Sequence, residues 1–276
     1  MAKTKVLIVV KTYPALSSKY DELVCTAGFK EDGSWIRIYP IHFRELKYEK
    51  QYRKYQWIEI DLEKNPSDPR PESFRPRSYD TIKPLDKIDY KHWENRKEIV
   101  LKNVYNNLDE IIDKAHKDLM SLAVFKPEKI LDFVVEKTER VWDSEKLKRI
   151  IAKRNQISLF PEKENYKELP KKLPYKFSYL FEDINGRQST LMIEDWEIGQ
   201  LYWNCLEKYN GDEQKAIQKI HEKYFENFVK TKDLYLFLGT TREYHIRKAK
   251  NPYVIIGVFY PPKIEKQNNL QISMFD

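Results

Sequence analysis

The stretch LVCTAGFKEDGSWIRIYP, residues 23–40, sets the architecture of the first third of the chain. Leu23–Phe29 is an apolar run. Trp35-Ile36-Arg37-Ile38-Tyr39 follows shortly after Asp32-Gly33. An Asp-Gly step between two such runs signals a β-hairpin, because glycine readily takes the positive φ that tight turns need. Working outward, Lys5–Val10 predicts a strand before the hairpin, and Trp57–Leu62 predicts one after it. In the latter, Ile58, Ile60 and Leu62 alternate with Glu59, Asp61 and Glu63, the period of a strand with one apolar face. The proline-rich NPSDPRPESFRPR reads as a loop.

From Lys91 to Leu119 the period changes. Trp93, Val100, Val104, Leu108, Ile111, Ala115 and Leu119 recur at three, four or seven residues, which predicts one or two helices. Ile130–Val135 predicts a strand, and Asp143 or Ser144 can cap a short basic helix, KLKRIIAKR. PEKENYKELPKKLP has the composition of a linker. A second unit begins at Tyr175 with a hairpin around Asn185-Gly186. Asp195 is placed to cap a helix through Leu206, and Gly211–Val229 is amphipathic. Leu234–Leu238 and Val254–Tyr260 read as closing strands before Pro261-Pro262. The expected organisation is α+β. Residues 1–154 form a β unit with a helical insertion, 155–174 a linker, 175–262 a second α+β unit, and 263–276 a flexible tail.

The 276 residues are 41% hydrophobic and 14% aromatic, enough for a sizeable core. No apolar run approaches the ~20 residues of a membrane-spanning helix. The N-terminal MAKTKVLIVVK has no small-residue cleavage site and reads as a first strand. Cys25 and Cys205 stand far apart without C-x-x-C context, which suits reduced thiols in a cytoplasmic protein. Lys and Arg exceed Asp and Glu by 50 to 43, a formal charge of +7, compatible with a polyanionic partner.

Catalytic patterns are sparse. The five histidines lack metal-ligand spacing, and there is no glycine-rich phosphate loop and no G-x-S-x-G. No cofactor and no metal site is implied. Glu59, Asp61 and Glu63 share one strand face beside Lys64, the raw material of a Mg²⁺-dependent nuclease using Glu59 and Asp61. A solvated strand face is the simpler expectation, and the enzyme question leans toward no. A stronger pattern is ELKYEKQYRKYQW, residues 45–57, where Lys47, Lys50, Arg53 and Lys54 alternate with Tyr48, Tyr52, Tyr55 and Trp57. Single-stranded nucleic acid is held by such a mixture, cations along the phosphates and rings against the bases. The alternative is that these aromatics pack inward. The loop TYPALSSKY adds Tyr13 and Lys19, and with Arg37 these form a second candidate set, for a nucleotide or modified base.

KTYPALSSKYDELVCTAG, GSWIRIYPIHFREL, YRKYQWIEI and DPRPES, with GTTREYH and VIIGVFYPP further on, resemble the dual OB-fold (DuOB) proteins of prokaryotic anti-phage and mobile-element conflict systems. The resemblance implies two OB-like β-barrels and a nucleic-acid or nucleotide-sensing role in antiviral defence. A nuclease or helicase of the same system would be the expected companion. It supplies no family site residues. A pentapeptide occurs twice, as QISLF at 156–160 and QISMF at 271–275. Both resemble the peptide by which bacterial polymerases and repair proteins bind the sliding clamp. In the terminal copy Gln271, Ser273 and Phe275 match that pattern and Met274 stands for Leu. An apolar anchor on a polar tail suits docking. The internal copy reads as a buried strand joining the halves. The sequence thus predicts a single-strand-binding protein with possible clamp docking, and no membrane partner.

Overall fold

Two alternating faces of one strand organise the molecule. In a computed structural model, which describes residues 3–17, 21–157 and 169–263, β1 (Thr4–Lys11) is buried from Val6 to Val10. Side chains along a strand alternate between faces. Val6 and Ile8 enter one core with Val24, Ile36, Ile38, Ile58 and Ile60. Leu7 and Val9 enter another with Val124, Phe237, Ile256 and Phe259, and a register shift between Ile8 and Val10 brings Val10 to the same side. An uninterrupted apolar run is what a strand covered on both sides requires.

The first core lies inside a curled sheet. It comprises β1, β2 (Ala15–Ser17), β3 (Asp21–Lys30), β4 (Trp35–Ile41), β5 (Gln56–Ile60), β6 (Leu62–Lys64), β7 (Ser73–Pro76) and β8 (Lys83–Lys87). The order is β6-β7-β4-β3-β1-β5-β8, with β2 pairing β3. Only Asp61 separates β5 from β6, yet these strands stand on opposite flanks of the order. The sheet therefore curls back toward itself in the manner of a barrel. The β3–β4 hairpin turns at Gly33, whose φ is +85°.

After α1 (Trp93–Val100) the chain builds a second layered unit. One sheet runs β15-β14-β10-β9, comprising β9 (Val104–Tyr105), β10 (Leu122–Phe125), β14 (Tyr235–Thr240) and β15 (Tyr253–Phe259). The other runs β11 (Lys129–Lys137), β12 (Tyr175–Glu182) and β13 (Gln188–Met192). A bridge between Ile193 and Ile255 joins them. The helices α2 (Leu108–His116), α4 (Trp196–Lys208) and α5 (Glu213–His221) supply Ile111, Tyr202 and Ile220 to this core. A π-helical stretch, Glu222–Val229, adds Tyr224 and Phe228. The predicted caps form: Asp195 Oδ1 accepts from the Glu197 amide at 3.1 Å, and Asp143 Oδ1 from the Lys146 amide at 2.8 Å. The fold is α+β with barrel-like units.

Three expectations change. The strand at 57–62 bends at Asp61 into β5 and β6, which have different neighbours. β10 and β11, assigned by sequence to residues 1–154, pair with β14 and β12 of the second unit. The change of partners falls between α1 and β9, because pairing over a hundred residues leaves no local trace. Gln156 and Ile157 end α3 (Ser144–Ile157), so the internal pentapeptide begins in a helix; Ser158–Phe160 lie outside the described residues. No helix among the described residues is long and apolar enough to cross a membrane.

Candidate functional site

The basic–aromatic run at 45–57 does not form a stacking platform. Tyr52 is 1% exposed, and its hydroxyl pairs with Thr26 Oγ1 at 2.8 Å. Tyr55 is buried beneath the Arg96 guanidinium, 4.0 Å from the ring centre. Lys54 reaches inward, its Nζ 2.7 Å from Asp195 and 3.2 Å from Glu197. Lys50 donates to the Asp80 carbonyl at 2.7 Å. Lys47, Tyr48 and Arg53 remain exposed. Alternation of residue types shows that two faces differ but not which one is buried. Here Tyr52 enters the barrel core and Tyr55 the core shared with the second unit, while Tyr48 stays exposed.

The acidic face is neutralised by arginines. Glu63 pairs with Arg75 at 2.6 Å and Arg77 at 3.1 Å, and Asp61 lies 3.5 Å from Arg77. Glu59 belongs to β5 and Glu63 to β6. Among the described residues, no three His, Cys, Asp or Glu side chains are grouped to hold a metal.

A cleft of about 600 Å³ lies between the units. The first unit contributes the loop after β1 (Thr12 to Leu16), Arg37 and Tyr39 of β4, and Arg70. The second contributes Tyr175 to Phe177 of β12, Met192 to Glu194, Thr240 to Arg242, and Trp142 and Lys146 at the start of α3. Tyr13 crosses between the units. Its hydroxyl accepts from Trp203 Nε1 at 2.8 Å and donates to the Lys171 carbonyl at 2.8 Å. Its ring lies where a Cβ on Gly199 would come within 2.2 Å, so only glycine fits that position of α4.

Arg37 and Arg70 are both buried in the cleft wall. Arg37 Nη1 donates to Ser121 Oγ at 2.6 Å, and Ser121 Oγ donates onward to Glu72 at 2.6 Å. Arg37 Nε is buried without a hydrogen-bond partner. Burial, then the neighbouring Arg70, pulls the Arg37 guanidinium below its ordinary value. Arg70 grips Asp68 through Nε at 2.9 Å and Nη2 at 2.6 Å, and donates to the Thr240 carbonyl at 2.6 Å. Burial pushes the Asp68 carboxyl up, but hydrogen bonds from Arg70 outweigh it and hold the group at about 2. Arg242 donates to the Ser67 carbonyl at 2.9 Å. Facing these cations is Glu194, whose carboxyl burial raises above the usual range.

Tyr13 and Arg37, expected from sequence, therefore come together in one cleft. Lys19, Gln271, Ser273, Met274 and Phe275 lie outside the described residues. Arg70, Trp142, Tyr175, Glu194 and Arg242 were not singled out, although DPRPES and GTTREYH contain two of them. DPRPES reads as part of a loop, and nothing local reveals that it meets GTTREYH across the units.

Residues 105–276 match the model of a domain of unknown function, DUF8757, and residues 2–102 match a second, DUF8758. The first match spans more than half of the chain. The chain belongs to the DUF8757 family. The two matches meet where strand pairing changes partners, between α1 and β9. No curated protein matches the sequence.

Proposed function

We propose that the protein binds single-stranded nucleic acid by drawing one nucleotide into the cleft between its units. The residue set of the cleft carries this reading. Buried Arg37 and Arg70 share a nucleotide-sized space with Tyr13, Tyr39, Trp142, Tyr175 and Phe177. Small-ligand sites typically enclose about 300–1,000 Å³. Aromatic faces stack bases, and arginines suit phosphate. Lys146, Lys172, Lys176 and Arg242 line the same opening, and Lys148 and Arg149 continue the basic start of α3. Such a rim suits a strand that extends past the cleft.

Anisotropy with labelled single strands tests the proposal. Trp142→Ala weakens binding by about 1–3 kcal/mol if the indole stacks a base. Lys176→Ala reduces the log–log salt slope by about 0.7 if the ammonium meets a phosphate. Unchanged affinity and slope in both variants would overturn the reading. The position of Tyr13 and Arg37 in the cleft favours a second reading, a sensor of a free nucleotide or modified base. Thermal stabilisation by mononucleotides alone would favour it.

Two free cysteines suit a cytoplasmic location. The resemblance to dual OB-fold proteins supports a place in prokaryotic defence or DNA maintenance, beside a nuclease or helicase. The tail is proposed to dock on the sliding clamp through Gln271, Ser273, Met274 and Phe275. Phe275→Ala should weaken that docking by about 2 kcal/mol or more. Absence of binding by the intact chain at tens of micromolar clamp, by calorimetry, would remove this part of the proposal.

A further inference from the structure

Glu194 is the one carboxylate among the described residues that line the cleft, and it has no partner there. Arg37, Arg70, Arg242, Lys146, Lys172 and Lys176 line the same space. None of them reaches it. Arg70 is committed to Asp68, Lys172 lies 3.2 Å from Glu139, and Arg242 holds the Ser67 carbonyl. The Glu194 carboxylate makes no hydrogen bond or ion pair among the described residues, and burial alone shifts its ionisation.

The backbone fixes this placement. The Glu194 amide donates to the Ile255 carbonyl at 2.8 Å, and its own carbonyl accepts from the Tyr13 amide at 2.7 Å. The next residue, Asp195, turns the other way to Lys54 and the start of α4. Glu194 is thus held at the seam of the two units, lining the cleft. The side chain is half-buried in the cleft wall, and its two oxygens are acceptors that no described residue uses. A ligand in the cleft can supply the donors.

The donors required are those of one base. A carboxylate presents two acceptor oxygens side by side. On its Watson–Crick edge guanine offers two adjacent donors, N1–H and N2–H. Adenine and cytosine each offer one amino donor beside a ring-nitrogen lone pair, and uracil and thymine place N3–H between two carbonyls. Only guanine satisfies both oxygens without setting a lone pair against the anion. Resting on the reading of the cleft as a nucleotide site, we propose that Glu194 selects guanine by accepting hydrogen bonds from N1–H and N2–H.

The experiment is calorimetric titration of the full chain with GMP, IMP, AMP, CMP and UMP. A parallel titration uses oligothymidylates carrying one central G, A or C. Guanine should bind at least about fivefold tighter than the other bases, the low end of what a bidentate base contact discriminates. IMP lacks the N2 amino group and should lose much of that preference, a measurement that needs no variant. Glu194→Gln keeps the size and removes the anion, so it should level the bases while leaving residual binding to oligothymidylate. Selectivity in the mononucleotide arm identifies a free nucleotide as the source, and selectivity confined to the oligonucleotides identifies a strand. Binding that is blind to the base, or a guanine preference that survives Glu194→Gln, overturns the inference and leaves the cleft reading intact. No binding of any probe by the wild-type chain overturns both.

Discussion

Lys54 carries its charge inside the protein. Burial pulls its ammonium down, but the Asp195 and Glu197 carboxylates outweigh this and hold it above the ordinary lysine value. Asp195 is fully buried and depends on Lys54 as its counter-ion. Removing one partner of a buried pair leaves the other uncompensated, which typically costs 3–5 kcal/mol or thereabouts. Lys54→Ala should therefore lower unfolding free energy in urea by about 3–5 kcal/mol. The double variant Lys54→Met, Asp195→Leu should recover much of that, because apolar groups can replace a buried pair at little loss. A Lys54→Ala protein of wild-type stability would show that the pair contributes little. Lys11 sits nearby, with its Nζ 4.1 Å from the Phe43 ring centre. Burial, then Lys54, brings its pKa down to about 8.

The loop between β6 and β7 shows how a short element acquires stiffness. Asn65 Oδ1 accepts from the Ser67 hydroxyl at 2.8 Å, and Asp68 accepts from Ser73 Oγ at 2.7 Å and from Arg70. Because the folded Asp68 pKa of about 2 lies below the ordinary 3.8, its stabilisation is present above pH ~4. It is lost as pH falls toward 2. The shift corresponds to about 1–2 kcal/mol after discounting for solvent screening. Asp68→Asn should lower stability at pH 7 and flatten the fall between pH 4 and 2, as measured by denaturant titration across that range. An unchanged acid profile would assign the fall to other carboxylates. The sequence marked this segment as a loop through its prolines, and it marked Asp32-Gly33, Asp143 and Asp195 as turn and caps. Those signals are local chemistry and were legible. The Asp68–Arg70 clamp was not, because it depends on the Thr240 carbonyl 170 residues away. Nor was the bend at Asp61, since apolar alternation runs through it unbroken. For the cleft, Tyr13 and Arg37 were legible as polar residues beside a loop. Glu194 was hidden between an apolar strand and a helix cap.

Across the whole molecule, two sequence families share one interior. Leu7, Val9, Val10, Ala27 and Phe29 of the first unit pack with Val124, Phe237, Val254, Ile256 and Phe259 of the second. The Trp35 ring meets Phe237 edge-on, with centroids 5.6 Å apart. Polar stitches reinforce the seam, Arg37 to Ser121, Arg70 to Thr240, and Lys54 to Asp195. A shared apolar interior of this kind opposes independent motion of the two units. The chain should therefore unfold in one cooperative transition. Fluorescence and far-UV circular dichroism should give coincident curves, and the calorimetric enthalpy should equal the van't Hoff value. Phe237→Ala deletes a fully buried ring and should cost about 3–5 kcal/mol. Although Phe237 belongs to the second unit, both probes should shift together, because its ring packs in the core that β1 shares with that unit. Residues 1–102 expressed alone would expose Leu7, Val9 and Phe29 and should not fold to a dispersed NMR spectrum. Two resolved transitions, or a folded 1–102 fragment, would show instead that each family match is a self-sufficient domain. The cleft would then be a hinge between two bodies, since Arg37 and Arg70 stand on one side of the seam and Glu194 on the other.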